Sequence, residues 1–159
     1  MSRFSPPENY RRKPAAPLPA RRDAVTRKVK VLFVCIGNAV RSQMAEAFAR
    51  HYGGDAVAPS SAGLAPAQSI APLTMKVLRD RGISVREQFP KGLGEVNAPF
   101  DYVVNISGEK LPPPFDRGAR NWDVADPYVL PEQAYLEAAA KIESLVMSLL
   151  MEIRGRRVP

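Results

Sequence analysis

A short apolar run followed at once by small residues is the feature that most constrains the fold of this chain. Val29–Val34 is rich in β-branched and aromatic residues, which is typical of a strand inside a sheet. Gly37 and Asn38 then interrupt the run, and both residue types tolerate positive φ. A helix is predicted from Ser42 to about His51, ended by the two glycines at 53 and 54. The pattern therefore predicts a strand, a tight loop and a helix in direct succession.

The alternation of strand and helix continues along the chain. Strands are predicted at Ala56–Ser60, Asp101–Ile106 and Ala119–Val124, and helices over Ser69–Arg81 and from about Pro131 onward. The last helix is expected to bury one apolar face, made of Leu136, Ala139, Ile142, Leu145, Val146, Leu149 and Ile153. Such alternation favours an α/β fold with a parallel sheet, in which ligands bind beyond the carboxyl ends of the strands.

Cys35 comes at the carboxyl end of the first strand, where such a ligand site is expected. A loop between a strand end and a helix N-terminus turns successive backbone N–H groups inward and makes an anion-binding nest. Arg41 can add a planar fork to two oxygens of a tetrahedral oxyanion, and Ser42 can donate a hydrogen bond to the thiolate. The same positive field favours the thiolate form of Cys35, so the segment predicts a nucleophile in a phosphate-shaped cup.

An acid that protonates a leaving oxygen is the second requirement of a phosphatase. Asp126 is the candidate, because Pro127 restricts the local backbone and biases Asp126 toward an extended conformation after the last strand. An ordinary aspartate in a turn before proline is the alternative interpretation of the same pair.

The net charge of +7 belongs entirely to the first thirty residues, which hold nine basic and two acidic side chains. Residues 1–28 are predicted to be a basic, proline-rich and disordered extension, and residues 29–159 to be one α/β domain. The extension can contact polyanions, but the sequence has no folded motif for specific nucleic-acid recognition. No run of about twenty apolar residues is present, so we predict no membrane span.

Cys35 is the only cysteine and His51 the only histidine of the chain. These counts exclude an intramolecular disulfide and a cysteine- or histidine-rich metal site, and we expect neither a metal nor a cofactor. A lone thiol suits a reducing compartment, and we predict a cytoplasmic location.

Three motifs together resemble one enzyme family. They are the run from Cys35 to Glu46, a Ser61-Ala62-Gly63 turn after the second strand, and the Asp126-Pro127 loop, within a stretch of about residues 29–153. The chain resembles the low-molecular-weight protein tyrosine phosphatases and, equally, the arsenate reductases that share their fold. Closer similarity to the arsenate-reductase branch is found in four segments: 37–38, 41–46, 121–122 and 126–127.

The resemblance implies a three-layer sandwich with a four-stranded parallel sheet of flavodoxin-like or Rossmann-like order. It implies Cys35 as nucleophile, Arg41 as the clamp of the transition state, and Asp126 as general acid and then general base. Asn38 is expected to hold the loop in shape and Ser42 to support the thiolate. The substrate-binding residues are expected to be those of the loop, namely Ile36, Gly37, Asn38, Ala39, Val40 and Ser42.

Departures from the family pattern concern cysteines. Many members have a second cysteine just before the loop arginine, where this chain has Val40, and Ser107 stands where a redox relay through further cysteines would begin. One thiol cannot form the internal disulfide of that relay, so reduction of arsenate would need an external thiol.

Three hypotheses follow. The first is a phosphatase that hydrolyses phosphotyrosine or other aryl phosphates, on a phosphorylated protein or a small molecule, through a thiophosphate-enzyme intermediate. The second is an arsenate reductase coupled to an external small thiol or redoxin. The third is a weakly active oxyanion-binding or interaction domain tethered by its basic extension.

Overall fold

Four parallel strands form the sheet of the computed structural model, which describes residues 27–157. In chain order the strands are β1 (Val29–Cys35), β2 (Val57–Gly63), β3 (Tyr102–Asn105) and β4 (Arg120–Asn121). They lie in the order β2-β1-β3-β4, and every neighbouring pair is parallel. The predicted four-stranded parallel sheet is therefore confirmed. The predicted extension, residues 1–28, falls outside the described residues apart from its last two positions.

Three helices connect and cover these strands: α1 (Arg41–Gly53), α2 (Pro72–Asp80) and α3 (Glu132–Arg157), with a short 3-10 turn at Leu93–Glu95. Among the helices of residues 27–157, none is both long and apolar enough to span a bilayer.

The side chains of β1 alternate between the two faces of the sheet. Phe33 on one face joins the main core, to which all three helices contribute apolar side chains such as Phe48, Leu78 and Ile142. Leu32 on the opposite face belongs to a smaller cluster, covered by the 3-10 turn and by loops. The two faces of the sheet are therefore covered differently: the helices pack on one face, and the 3-10 turn and loops pack on the other.

Helix α2 begins three residues later than the sequence pattern predicts. The segment from Ser69 to Ala71 is not helical, and Ala71 has the extended angles φ −59° and ψ 134°. A residue before proline is biased against helical angles, and Pro72 follows here. The Ala71 amide instead donates to the carbonyl of Ala39 at 3.1 Å, which attaches this segment to the loop after β1.

Other predicted boundaries also need correction. The Ser61–Gly63 motif is the end of β2 rather than a turn after it, because Gly63 still pairs with Cys35 of β1. Strand β4 has only two residues, since it pairs with β3 through Arg120 and Asn121 alone. Leu136, predicted in the buried face of the last helix, is 37% exposed, because the buried face of α3 runs through Tyr135, Ala139 and Ile142 and Leu136 lies beside it.

Candidate active site

The loop between β1 and α1 is held by hydrogen bonds from the segment that follows β2. The carbonyls of Cys35, Ile36 and Gly37 accept hydrogen bonds from the amides of Leu64, Ala65 and Ala67, at 3.1, 2.8 and 2.8 Å respectively. Because the C=O and N–H groups of a trans peptide point in opposite directions, the N–H groups of these peptide units face away from that segment. The loop thus has the arrangement of an anion-binding nest.

Gly63 is the point of closest approach between β2 and this loop. A Cβ atom at Gly63 would lie 2.6 Å from the Ile36 carbonyl oxygen and 2.9 Å from the Asn38 nitrogen. No side chain fits there without displacing backbone, so the glycine of the Ser-Ala-Gly motif permits the contact between strand and loop.

Asn38 forms the centre of the loop. Its φ is +49°, a left-handed conformation that asparagine tolerates better than most residues. Its Nδ2 donates to Ser42 Oγ at 2.7 Å, its Oδ1 accepts from the Lys91 amide at 3.0 Å, and its carbonyl accepts from Gln43 Nε2 at 2.9 Å. Asn38 is fully buried. The expectation that it holds the loop in shape agrees with these contacts.

The Cys35 sulfur lies at the carboxyl end of β1 and faces α1. Its Sγ is 2.8 Å from Ser42 Oγ, and Ser42 itself is fully buried. Since Asn38 Nδ2 donates to the same Ser42 oxygen, the Ser42 hydroxyl proton is free to point at the sulfur. This arrangement can stabilise a thiolate on Cys35.

Arg41 is 6% exposed, and its guanidinium is fixed by two other strands. Its Nη1 donates to the carbonyls of Ile106 and Val124 at 2.7 and 3.0 Å, which lie just after β3 and β4. Both hydrogens of Nη1 are thereby used, and Nη2 and Nε remain for an anion. Nη2 lies 3.4 Å from Asp126 Oδ2. Backbone carbonyls thus determine the orientation of the Arg41 guanidinium, and the binding of an oxyanion by its fork stays a prediction.

Asp126 lies on an exposed loop beyond β4, and 45% of its side chain is accessible. Its Oδ1 accepts a hydrogen bond from the Tyr128 amide at 3.1 Å, which fixes the carboxylate within its own turn. Tyr135 is buried in the first turns of α3; burial raises the pKa of its hydroxyl, and the charge of Asp126 raises it further.

A cavity of about 240 Å³ brings the three predicted catalytic side chains, Cys35, Arg41 and Asp126, together. Four of the six predicted substrate-binding residues line it as well: Ile36, Gly37, Ala39 and Val40. Asn38 and Ser42 do not, because both are buried beneath the loop that they support. Further lining comes from Ala65, Ala67 and Tyr128.

A second cavity, of about 760 Å³, is also lined by Arg41 and Asp126. Trp122 lines it and also packs on Phe33, with ring centroids 5.7 Å apart. Ser107 donates to Asn105 Oδ1 at 2.6 Å at the end of β3. Within residues 27–157, no group of three or more potential metal ligands is placed to hold an ion.

Sequence reasoning missed the residues that support the loop from outside. Gln43 is fully buried on α1, and Gln88 Nε2 donates to its Oε1 at 2.8 Å. Arg50 Nη1 in turn donates to Gln88 Oε1, also at 2.8 Å. Gln43 follows two other polar residues on α1, so no local sequence signal marked it. Nothing local pointed to Gln88 or to the Lys91 amide, which act across more than forty residues.

The model of one family, "Low molecular weight phosphotyrosine protein phosphatase", matches residues 30–158. The chain belongs to this family. A glutaredoxin arsenate reductase of Synechocystis is 29% identical over 129 residues, which are 78% of this chain and 98% of that protein. The match therefore covers nearly the whole of that relative.

Solved structures of other proteins have the same fold. "An arsenate reductase in the phosphate binding state" superposes with a TM-score of 0.72 at 28% identity, covering 79% of this chain and 98% of that one. The YwlE arginine phosphatase from Geobacillus stearothermophilus has a TM-score of 0.71 at 23% identity, with 82% and 96% covered, and shows likeness of fold. Solved structures with both kinds of name thus share this fold.

Proposed function

We propose that the chain is a cysteine-dependent phosphomonoesterase that acts on aryl phosphates such as phosphotyrosine. One observation carries this proposal: Cys35, Arg41 and Asp126 line a single cavity at the carboxyl end of β1. A nucleophile, a cation for the developing charge and an acid for the leaving group are the parts that phosphate ester hydrolysis requires. Membership of the phosphatase family supports the same reaction class.

In the first step the Cys35 thiolate attacks phosphorus, and the bond from phosphorus to the aryl oxygen breaks. Asp126 donates its proton to that oxygen, so a neutral phenol leaves and a thiophosphate on Cys35 remains. In the second step Asp126 accepts a proton from water, which attacks phosphorus and releases inorganic phosphate. Ser42 Oγ, 2.8 Å from the sulfur, stabilises Cys35 as the leaving group of this step.

Arg41 stabilises the charge on the equatorial oxygens of the transferred phosphoryl group. Its Nη1 is used by the carbonyls of Ile106 and Val124, so Nη2 and Nε serve the substrate. A guanidinium held in this way needs little reorganisation during the reaction, which is the condition for efficient electrostatic catalysis.

Hydrolysis of 4-nitrophenyl phosphate by the full chain and by Cys35→Ser tests the proposal. We expect turnover with the full chain, none with Cys35→Ser, and a phosphorylated Cys35 detected by mass spectrometry after acid quenching. Turnover that survives in Cys35→Ser contradicts the mechanism. Phosphate binding without hydrolysis at any pH, and without thiol-dependent reduction, points instead to the oxyanion-binding domain.

A thiol-dependent arsenate reductase is the second candidate, favoured by the name of the Synechocystis relative. Cys35 would displace water from arsenate, and an external thiol would attack the Cys35 sulfur and release arsenite. The two thiols supply the two electrons and form a mixed disulfide, which a second external thiol reduces. An external thiol is required because Cys35 is the only cysteine. Arsenite release that depends on glutathione or a redoxin, without aryl phosphate hydrolysis, selects this candidate.

A further inference from the structure

An apolar groove of about 780 Å³ lies beside the catalytic cavity, on the far side of the segment 64–71. We call it the arginine groove; its apolar lining consists of Ile70, Met75, Ile83, Val85 and Phe89. Phe89 is 58% exposed and Met75 38%. Large apolar side chains that remain in solvent at the wall of a groove are a mark of interaction sites.

Phe89 is presented on an anchored segment. The residue before it, Gln88, is buried and bonded to Gln43 of α1 at 2.8 Å. The amide of Lys91 donates to Asn38 Oδ1 at 3.0 Å, and the Lys91 ammonium lies 4.6 Å from the centre of the Phe89 ring. The exposed ring is thus held at a defined position relative to the phosphate-binding loop.

The charge of the groove has one sign. Arg79 and Arg86 line it, no acidic residue lines it, and within residues 27–157 neither guanidinium takes part in an ion pair. An acidic occupant complements these two cations. The N-terminal extension, residues 1–26, has six basic and two acidic side chains and therefore the wrong charge.

Consecutive residues of one segment line the catalytic cavity and the groove. Ala65 and Ala67 line the cavity, whereas Gln68 and Ile70, the next residues along, line the groove. An extended peptide advances about 3.3–3.6 Å per residue, so a bound peptide can pass from the cavity to the neighbouring groove within a few residues.

Building on the phosphatase function proposed above, we infer that the arginine groove docks an acidic segment of a phosphoprotein substrate. One apolar side chain of that segment inserts beside Phe89, three to five residues from the phosphorylated residue. Its carboxylates pair with Arg79 and Arg86.

Three phosphotyrosine peptides test this assignment. The first has a leucine four residues from the phosphotyrosine, with a glutamate on each side of that leucine. In the second the leucine is changed to serine, and in the third the glutamates are changed to lysine. Binding is measured by fluorescence anisotropy with Cys35→Ser protein, which does not turn over. We expect the first peptide to bind about tenfold more tightly than the second, because burying one leucine contributes at least that factor. The third is expected to bind about threefold more weakly than the first.

Variants of the full chain locate the effect. Phe89→Ser is expected to remove the preference for leucine. Arg86→Glu is expected to remove the preference between the glutamate and lysine peptides, because the new carboxylate offsets the charge of Arg79. Arg117→Glu, an exposed arginine outside the groove, is the matched control and is expected to change neither. Turnover of 4-nitrophenyl phosphate by the Phe89 and Arg86 variants with native Cys35 is expected to equal that of the unaltered chain.

Equal binding of all three peptides, or preferences that survive Phe89→Ser and Arg86→Glu, overturns the docking site. Absence of 4-nitrophenyl phosphate hydrolysis by the unaltered chain overturns the phosphatase function instead. The anisotropy measurements do not depend on turnover, so the two failures are distinguishable.

Discussion

Ser42 Oγ lies 2.8 Å from the sulfur of Cys35, and Asn38 Nδ2 donates to the same hydroxyl at 2.7 Å. Because Asn38 is the donor in its hydrogen bond to Ser42, the hydroxyl proton of Ser42 remains available for a hydrogen bond to the Cys35 sulfur. Ser42→Ala removes a hydrogen bond to a charged group, which contributes about 1.5–3 kcal/mol, so kcat is expected to fall roughly 10- to 100-fold. Stopped-flow measurement of phenol release will show a burst, because hydrolysis of the thiophosphate slows more than its formation. Ser144→Ala, on the exposed face of α3, is the control, and an equal loss in both variants contradicts this role.

Arg41→Lys tests the orientation of the guanidinium. A lysine cannot both satisfy the carbonyls of Ile106 and Val124 and present two donors to the substrate. We expect kcat to fall by about 10²- to 10³-fold, the range for loss of one preorganised oxyanion donor. Urea denaturation is expected to show a loss of about 1–3 kcal/mol in the free energy of unfolding, from the carbonyls left unpaired. Full activity in Arg41→Lys contradicts the role of the Arg41 guanidinium in stabilising the transition state.

Asp126→Asn separates the acid from the nucleophile. Its side chain is 45% exposed, so the free energy of unfolding is expected to stay unchanged. Turnover of phenyl phosphate, which has a poor leaving group, is expected to fall by about 10²- to 10⁴-fold. The loss with 4-nitrophenyl phosphate is expected to be smaller in the first step, because its leaving group needs less protonation. Single-turnover kinetics on both esters measure the difference, and equal losses argue against a general acid at this position.

Gly63→Ala tests the close approach of β2 to the phosphate-binding loop. The added Cβ meets the Ile36 carbonyl oxygen at 2.6 Å, so backbone must move. We expect a loss of about 1–3 kcal/mol in the free energy of unfolding, typical of overpacking, together with weaker phosphate binding measured by calorimetry. Gly155→Ala is the matched control: its Cβ meets nothing within 4 Å, and alanine is expected to stabilise α3 by about 0.5–1 kcal/mol. A Gly63→Ala protein that binds phosphate normally contradicts this account.

Two tyrosines are expected to make the free energy of unfolding depend on pH in the alkaline range. A hydrogen bond to Glu143 raises the pKa of Tyr52, and burial raises that of Tyr135. The unfolded chain therefore loses these protons first, near pH 10, and the free energy of unfolding is expected to fall as the pH rises further. Urea denaturation between about pH 9 and pH 11 measures the slope, which is expected to be smaller in the double variant Tyr52→Phe, Tyr135→Phe. An unchanged slope argues against both shifts.

Local sequence patterns determined much of the secondary structure of this protein and the position of Cys35 in it. The apolar run at Val29–Val34 and the small residues after it determined a central strand and a tight loop, because β-branched side chains and positive φ tolerance act within a few residues. The order of the elements placed Cys35 at the carboxyl end of a parallel strand. Pro72 also signalled a later start of α2 than the apolar spacing suggested, because proline acts on the residue before it.

Tertiary structure alone decided how the candidate site is held. The carbonyls that orient Arg41 belong to Ile106 and Val124, which follow it by 65 and 83 positions in the sequence. Every residue type has a backbone carbonyl, so the sequence does not mark these two. The same is true of the Lys91 amide that bonds Asn38. Burial of Leu136 was mispredicted because helical periodicity identifies an apolar face but not where the neighbouring surface ends.

Residue type therefore determined which chemistry is available, since a thiol, a guanidinium and a carboxylate have their properties wherever they stand. Only the packing of β2, β3 and β4 around the first strand decided that Cys35, Arg41 and Asp126 line one cavity. Distances between groups so far apart in sequence depend on every intervening contact, and no local pattern records them.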